Sequence, residues 1–255
     1  SLGRFDMRGT AKVSNAAIKT VMDIETDIGT LFVDLNLDQM NAIDNNSYVG
    51  QVRFTDFDLG HLMGEQKIGL VTSSLSVEGR GFNKETINSN IKGTFDSFAF
   101  QEYIYSDIQI SGLIKNKIFN GQLDIDDPNM KFNFEGLIDF SKQENIYDFS
   151  AAIEYANLNA LNFVQRDSLS ILNGQMTMDM KGTTIDDVYG TIKFKNALYQ
   201  NQNDYYAFKD FEITSEFGNN NLRTIRVNSP EIVQGNLKGK FAINQLPNLL
   251  RNALG

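Results

Sequence analysis

The sequence predicts an all-β chain: one elongated, curled antiparallel sheet with a hydrophobic interior, an open groove and a few short helical turns. Three observations carry that prediction. Apolar and polar residues alternate along most of the chain, the period-two pattern of strands with one oily and one wet face. Clusters of Asp, Asn, Gly, Gln and Lys recur between the alternating runs, at the spacing of antiparallel hairpins. Only 3 prolines occur in 255 residues, as long hydrogen-bonded ladders require, because proline cannot donate to one.

The elements follow in order. Phe5, Met7, Gly9 and Ala11 share one face of a first strand. Ile18, Thr20, Met22 and Ile24 share the next, Asp27-Ile28-Gly29 turns it back, and Leu31, Val33, Leu35 and Leu37 line the return. A polar loop at Asp44-Asn45-Asn46-Ser47 leads to Tyr48, Gly50, Val52 and Phe54. Asp58-Leu59-Gly60-His61-Leu62 breaks the alternation and reads as one helical turn. Residues 66–81 form a long strand carrying Val71, Ser73, Leu75, Val77 and Gly79. Ile91, Gly93 and Phe95 follow. Phe98 and Phe100 then sit on the other parity, and a β-bulge would restore them to the same face. Ile108, Ile110, Gly112 and Ile114 lead into the central stretch, 117–155.

That stretch reads as three strands with an unbroken apolar face. It carries Phe119, Gly121, Leu123 and Ile125; then Met130, Phe132, Phe134, Gly136 and Ile138; then Tyr147, Phe149, Ala151, Ile153 and Tyr155. Asp126-Asp127-Pro128-Asn129 and Lys142-Gln143-Glu144-Asn145 are the turns between them. Asn157-Leu158-Asn159-Ala160-Leu161 again breaks the alternation. The following strand carries Gly174, Met176, Met178, Met180 and Gly182. Gly190, Ile192 and Phe194 make a shorter strand. Tyr206, Phe208, Phe211, Ile213 and Phe217 follow, with a slip near Lys209. Asn219-Asn220-Asn221 turns the chain into Arg223, Ile225 and Val227. Val233, Gly235, Leu237, Gly239 and Phe241 form the last strand, and Gln245-Leu246-Pro247-Asn248-Leu249 a short helix.

No linker divides residues 1–255, which read as a single continuous segment. The count is roughly 17 strands, more than the about ten that a twisted open sheet carries without curling or splitting. The [Asp/Asn/Gln]-Leu-x-x-Leu step recurs, suggesting repeated units that end near residues 62, 161 and 249. Glycine falls repeatedly on the apolar parity, where it removes bulk and leaves room.

Composition excludes several classes. The apolar fraction is 41% and the charged fraction 22%, an ordered chain rather than a disordered one. A net charge of −9 opposes a nucleic-acid binder, which needs a basic footprint, and broad docking on an anionic membrane surface. Without cysteine there is neither a disulfide scaffold nor a thiolate metal site, a usage that fits cytosol or periplasm. No apolar run reaches the about 18 residues of a spanning helix, and no signal peptide is visible. A chain that starts inside a sheet reads as a piece of a longer protein.

Candidates for chemistry are weak. His61 is the one histidine and reads as a surface or capping residue, with no Gly-x-Ser-x-Gly serine to serve. Asp124, Asp126, Asp127 and Asn129 offer oxygens at close spacing, but they lack the glycine and terminal Glu of an EF-hand loop and read as a turn. Asp186-Asp187 carries still less. Gly79-Arg80-Gly81 lacks the third glycine and the helix of a phosphate loop. No metal, cofactor or catalytic residue is expected. The inward set is Val52, Phe54, Phe119, Leu123, Ile125, Met130, Phe132, Phe134, Ile138, Phe149, Ile153, Met176, Met178, Met180, Ile213, Leu237 and Phe241. On the residues alone this set fills a sandwich core or lines a groove for lipid tails, and the Met stripe is either core filling or a soft lining for variable alkyl chains.

Several stretches carry a family likeness. They are Gly190-Thr191-Ile192-Lys193-Phe194, the strand followed by Asp-Leu-Gly-x-Leu at 54–62, the run 117–127, and the closing run 239–247. Together they resemble the AsmA-like proteins of the bridge-like lipid transfer superfamily, and within them the TamB group, the translocation and assembly module subunit of Gram-negative envelopes. The resemblance implies a β-taco, a folded sheet with a hydrophobic groove, here an internal piece or one from the C-terminal half. It implies a periplasmic segment of a protein anchored in the inner membrane, shielding phospholipid acyl chains between the two membranes in support of outer-membrane biogenesis. A bound phospholipid or detergent is the one non-protein group expected. An Omp85-class, TamA-like outer-membrane protein would be met through the full-length chain. The alternative is a scaffold or chaperone that assists outer-membrane protein assembly or secretion by offering sheet edges. A third reading is a secreted enzyme or adhesin with a packed sandwich.

Overall fold

Short polar connections leave each strand one choice of partner, the strand before it or the strand after it. The computed structural model describes residues 3–38, 46–82, 85–231 and 233–243. They form β1 (Phe5–Val13), β2 (Ala17–Thr26), β3 (Gly29–Asp38), β4 (Ser47–Asp58), helix α1 (Leu59–Met63), β5 (Ile68–Arg80), β6 (Asn88–Phe100), β7 (Tyr103–Lys115) and β8 (Ile118–Asp127). Then come β9 (Met130–Asp139), β10 (Ile146–Asn157), β11 (Ser170–Lys181), β12 (Tyr189–Asn201), β13 (Tyr205–Phe217), a 3-10 turn (Asn219–Asn221), β14 (Arg223–Ser229) and β15 (Val233–Gly239). All fifteen strands lie in one sheet in sequence order, every pair antiparallel. The sheet is open and curled, with little helix. The short helix expected at 245–249 and part of the loop before Tyr48 lie outside the described residues.

The turns follow local chemistry. Asn116 and Lys117 between β7 and β8, and Gln101 and Glu102 between β6 and β7, all have positive φ, the two-residue turn whose twist matches flanking strands. Asp58 accepts a hydrogen bond from the His61 N–H at 2.8 Å and so caps α1, and Gly64 ends the helix in the left-handed region at φ +72°, as such caps do.

Bulges keep the oily face continuous, and three of them fall at Asp or Asn residues of positive φ. Phe95 pairs with Ile108 but Ser97 with Ser106, so Asp96 and Asp107 are extra residues facing each other, and Phe98 rejoins Phe95 with ring centroids 5.8 Å apart. A second sits at Asp56, after which Phe57 turns inward and is 2% exposed. The third sets Asn196 opposite Lys209. Asp56, Asp107 and Asn196 all have φ between +46° and +49°, a region that Asp and Asn tolerate better than most residues. The slip near Lys209 is thus a bulge inside one continuous pairing. The expected short strand at Gly190 extends through it to Asn201. Continuity across such slips leaves fifteen strands among the described residues, fewer than expected from the sequence.

Register joins the strands into ladders that cross the sheet. One runs from Met22 through Val33, Val52, Leu75, Gly93, Ile110, Leu123, Phe134, Ala151, Met176 and Phe194 to Phe211, one residue per strand. The residues between, such as Gln51, Asp124 and Thr177, stand exposed on the other face. From Gly50 to Gly182, glycine on the apolar parity marks close approach of neighbouring backbone, whereas Gly235 has open space around it. Gly136 has φ +151°, and a Cβ there would lie 2.5 Å from both Asp148 O and Phe149 Cα. Two hollows of about 780 and 710 Å³ lie against the polar face along Asn120, Glu135, Thr177, Ser76 and Lys92. Concavity on both faces is what a strongly twisted sheet produces.

Candidate functional site

The candidate site is the apolar face itself. Val52, Leu123, Phe134 and Met176 share the ladder given above. Phe54, Ile125, Phe132 and Ile153 share the next one along the strands. Phe149, Met178 and Ile213 share a third. Phe119, Ile138, Met180 and Leu237 share a fourth. Met130 stands on the same face at the start of β9, and Phe241 follows β15 with its ring beside Gly239.

This face is only half covered. Phe134, Ile153 and Met180 are buried, Leu237 is exposed, and the other thirteen are intermediate. Phe134 is held between Phe119 and Phe149, with centroids 6.1 and 4.9 Å away, contacts worth about 0.5–1.5 kcal/mol each beyond burial. The aromatic contacts of the face join rings on one strand or on adjacent strands. None of them crosses from a second layer, as sandwich packing would require.

Two apolar hollows open on it. One of about 370 Å³ lies on β6–β9 between Phe95, Phe98, Phe100, Tyr105, Ile108, Ile110, Leu123, Ile125 and Met130. It lies in the size range of ligand pockets. The other, about 320 Å³, is lined by Tyr147, Met178, Met180, Ile185, Val188 and Ile192 near the β11–β12 loop.

Polar groups brace the margins. Asp127 is 2% exposed and accepts from the Tyr103 hydroxyl at 2.5 Å, from Ser106 N–H and Oγ–H, and from the Asn129 N–H at 2.8 Å. Burial first, then the neighbouring charges of Tyr103 and Asp127, push the Tyr105 hydroxyl up to about 12. Burial, followed by the bond to Asp127, raises Tyr103 as well. Arg223 stands on the apolar parity at 1% exposure. Its Nε donates to Ser215 Oγ at 3.0 Å, and its terminal nitrogens donate to the carbonyls of Ile185, Asp186 and Val188 at 3.3, 3.0 and 2.6 Å. Burial lowers its pKa, against the pull of Asp186 and Asp187.

Other chemistry is dispersed. Asn133 bonds Asp124, Lys131 pairs with Asp126 at 2.9 Å, and Asp127 is occupied as above, so these carboxylates do not converge. Asp187 accepts the N–H groups of Thr183 and Thr184, and Asp186 that of Ile243. Among the described residues no group of three or more His, Asp or Glu is placed to hold a metal. None of their helices is long and apolar enough to cross a membrane.

Sequence reasoning did not single out Arg223 or the Tyr103–Asp127 network. A charged residue on an otherwise apolar parity was the available signal for Arg223. The network joins β7, the end of β8 and the turn after it, and no local pattern announces it. No family model, curated protein or solved structure matches the chain.

Proposed function

We propose that the chain is a non-catalytic segment that shields acyl chains of phospholipid on its apolar face. The observation that supports this most is the half-exposed state of that face from β2 to β14, with no second sheet packed on it among the described residues. A hydrocarbon chain laid there gains about 0.8 kcal/mol for each methylene removed from water, so partial cover suffices to hold one. The Met176–Met180 stripe suits chains of varied shape, because methionine adapts its packing. The family likeness supports reading it as a periplasmic segment of an AsmA-like, TamB-type protein anchored in the inner membrane that moves lipid toward the outer membrane.

Native mass spectrometry of the purified chain tests it, with co-purified phospholipid as the expected outcome and a lipid-free spectrum as the contrary one. Phe134 is too buried to probe the face without harming the fold. Half-exposed Met178 is the better position. Met178→Glu is expected to reduce lipid occupancy severalfold while shifting stability by about 1 kcal/mol or less. A second reading is strand addition by a partner outer-membrane protein, for which a sheet edge would serve as template. Crosslinks from the β1 edge to unfolded barrel strands, rather than from Met178 to lipid, would select it.

A further inference from the structure

The connection from β10 to β11 does more than turn the chain. Its first residues close on themselves: Leu161 N–H donates to Asn157 O at 3.0 Å, and Phe163 and Val164 both donate to Leu158 O. Asn159 Nδ2 donates to the carbonyls of Val164 and Asp167, so the unit carries its own framework. Its base is fastened by Asn157 N–H to Asn129 O and by Leu158 N–H to Ser170 O. Its tip reaches past β9 and β8 to the β6–β7 turn, where Asn162 Nδ2 donates to Gln101 O at 3.0 Å.

Between base and tip, Leu161 is 0% exposed in a cluster with Tyr105, Ile108, Ile153 and Ala156, and Leu158 packs against the same cluster. Tyr105 and Ile108 also wall the apolar hollow of about 370 Å³. The unit is therefore held down by leucine side chains and a tie at its tip. The leucine contacts are exchangeable, since an alkyl chain on Tyr105, Ile108 and Ile153 replaces methyls with methylenes.

We propose that this loop is a displaceable plug, moving as one body on its base when an alkyl chain takes the place of Leu158 and Leu161. The ligand class rests on the groove reading above; the motion does not. Lifting the two leucines enlarges the hollow toward Ile153 and Ala156 and joins it to the face of β10.

The chain has no cysteine, so a double variant, Gln101→Cys with Asn162→Cys, carries its only thiols. Oxidation pins the tip and reductant frees it. With lauric acid bearing a terminal diazirine as probe, adducts on residues 95–108 and 153–156 are expected to fall about ten-fold on oxidation and to return on reduction, because locking removes the binding-competent state. Leu161→Ala, which loosens the plug, is expected to raise the yield at those residues. Equal labelling of the pinned and freed forms, or a Leu161→Ala yield at or below wild type, overturns the plug and leaves the groove reading standing. Should the probe label no part of the chain, the groove reading falls instead, and hydrogen exchange decides the plug. Exchange of the Leu161, Phe163 and Val164 amides together, and faster than those of Ile153 and Leu172, upholds it; exchange as slow as in the flanking strands overturns it.

Discussion

Tyr105 and Arg223 show what single residues contribute at the margins of an open face. With a pKa pushed to about 12 from 10.0, Tyr105 favours the fold fully below pH about 10, and that contribution is lost as pH rises toward 12. The loss amounts to on the order of 2–3 kcal/mol. Urea unfolding at about pH 8 and about pH 11.5 should show the chain weakening between them, and Tyr105→Phe should remove much of that slope. Arg223 is different in kind, because four acceptors depend on one guanidinium. Arg223→Ala leaves the carbonyls of Ile185 and Asp186 without their guanidinium donor, and that of Val188 with the Ser215 hydroxyl alone, and should cost on the order of 3–5 kcal/mol. Arg223→Lys should recover little, since a lysine presents its donors from one point and not from a planar fork. Midpoints of denaturant unfolding measure both.

At the scale of elements, alternation made the strands legible, and the places where it failed divide into two kinds. A slip such as Phe95 to Phe98 could be read as a bulge because aromatic residues resumed at once on the shifted parity. The slip at Asn196 and Lys209 hid the length of β12, because Ala197 and Tyr199 are less emphatic markers than phenylalanine. That the apolar residues of neighbouring strands share one face was legible because pairing register carries one parity across them. What stayed illegible depends on distance through space: the fold-back of Leu161 onto Tyr105, and the closeness of backbone at the glycines. The glycines permit a direct test. A Cβ at Gly136 meets the backbone of β10, whereas at Gly235 nothing lies within 4 Å. Gly136→Ala should destabilise by about 3 kcal/mol through contact and strain, and Gly235→Ala should stay within about 0.5 kcal/mol of wild type. Thermal melts of the two variants side by side decide whether glycine on this parity serves close approach or merely vacancy.

For the whole molecule, sequence-order pairing has a thermodynamic consequence. Each strand draws its main contacts from the strand on either side, so the sheet is close to one-dimensional, and its stability approaches a sum of strand and neighbour terms. Fifteen strands at about 4.8 Å spacing extend roughly 70 Å across the sheet, too far for its two edges to support each other by direct packing. The apolar cluster around Tyr105, Ile108, Ile153 and Leu161 lies on β6–β11 and the β10–β11 loop, whereas β1 is exposed at every residue and β15 at all but its last. Native-state hydrogen exchange should therefore be graded, slowest in β7–β9 and faster toward both edges, with opening free energies that differ from strand to strand. Unfolding in denaturant should broaden accordingly, and a probe at Met7 should report an earlier midpoint than one at Phe132. Coincident midpoints from the two probes, with uniform protection across the sheet, would mean that something couples the edges to the centre beyond neighbour pairing. A ligand lying along the apolar face across many strands would supply such coupling. Stripping the protein of lipid with detergent and repeating the exchange separates the two cases: the gradient steepens if hydrocarbon was bridging the strands and stays unchanged if the sheet stands on its neighbour contacts alone.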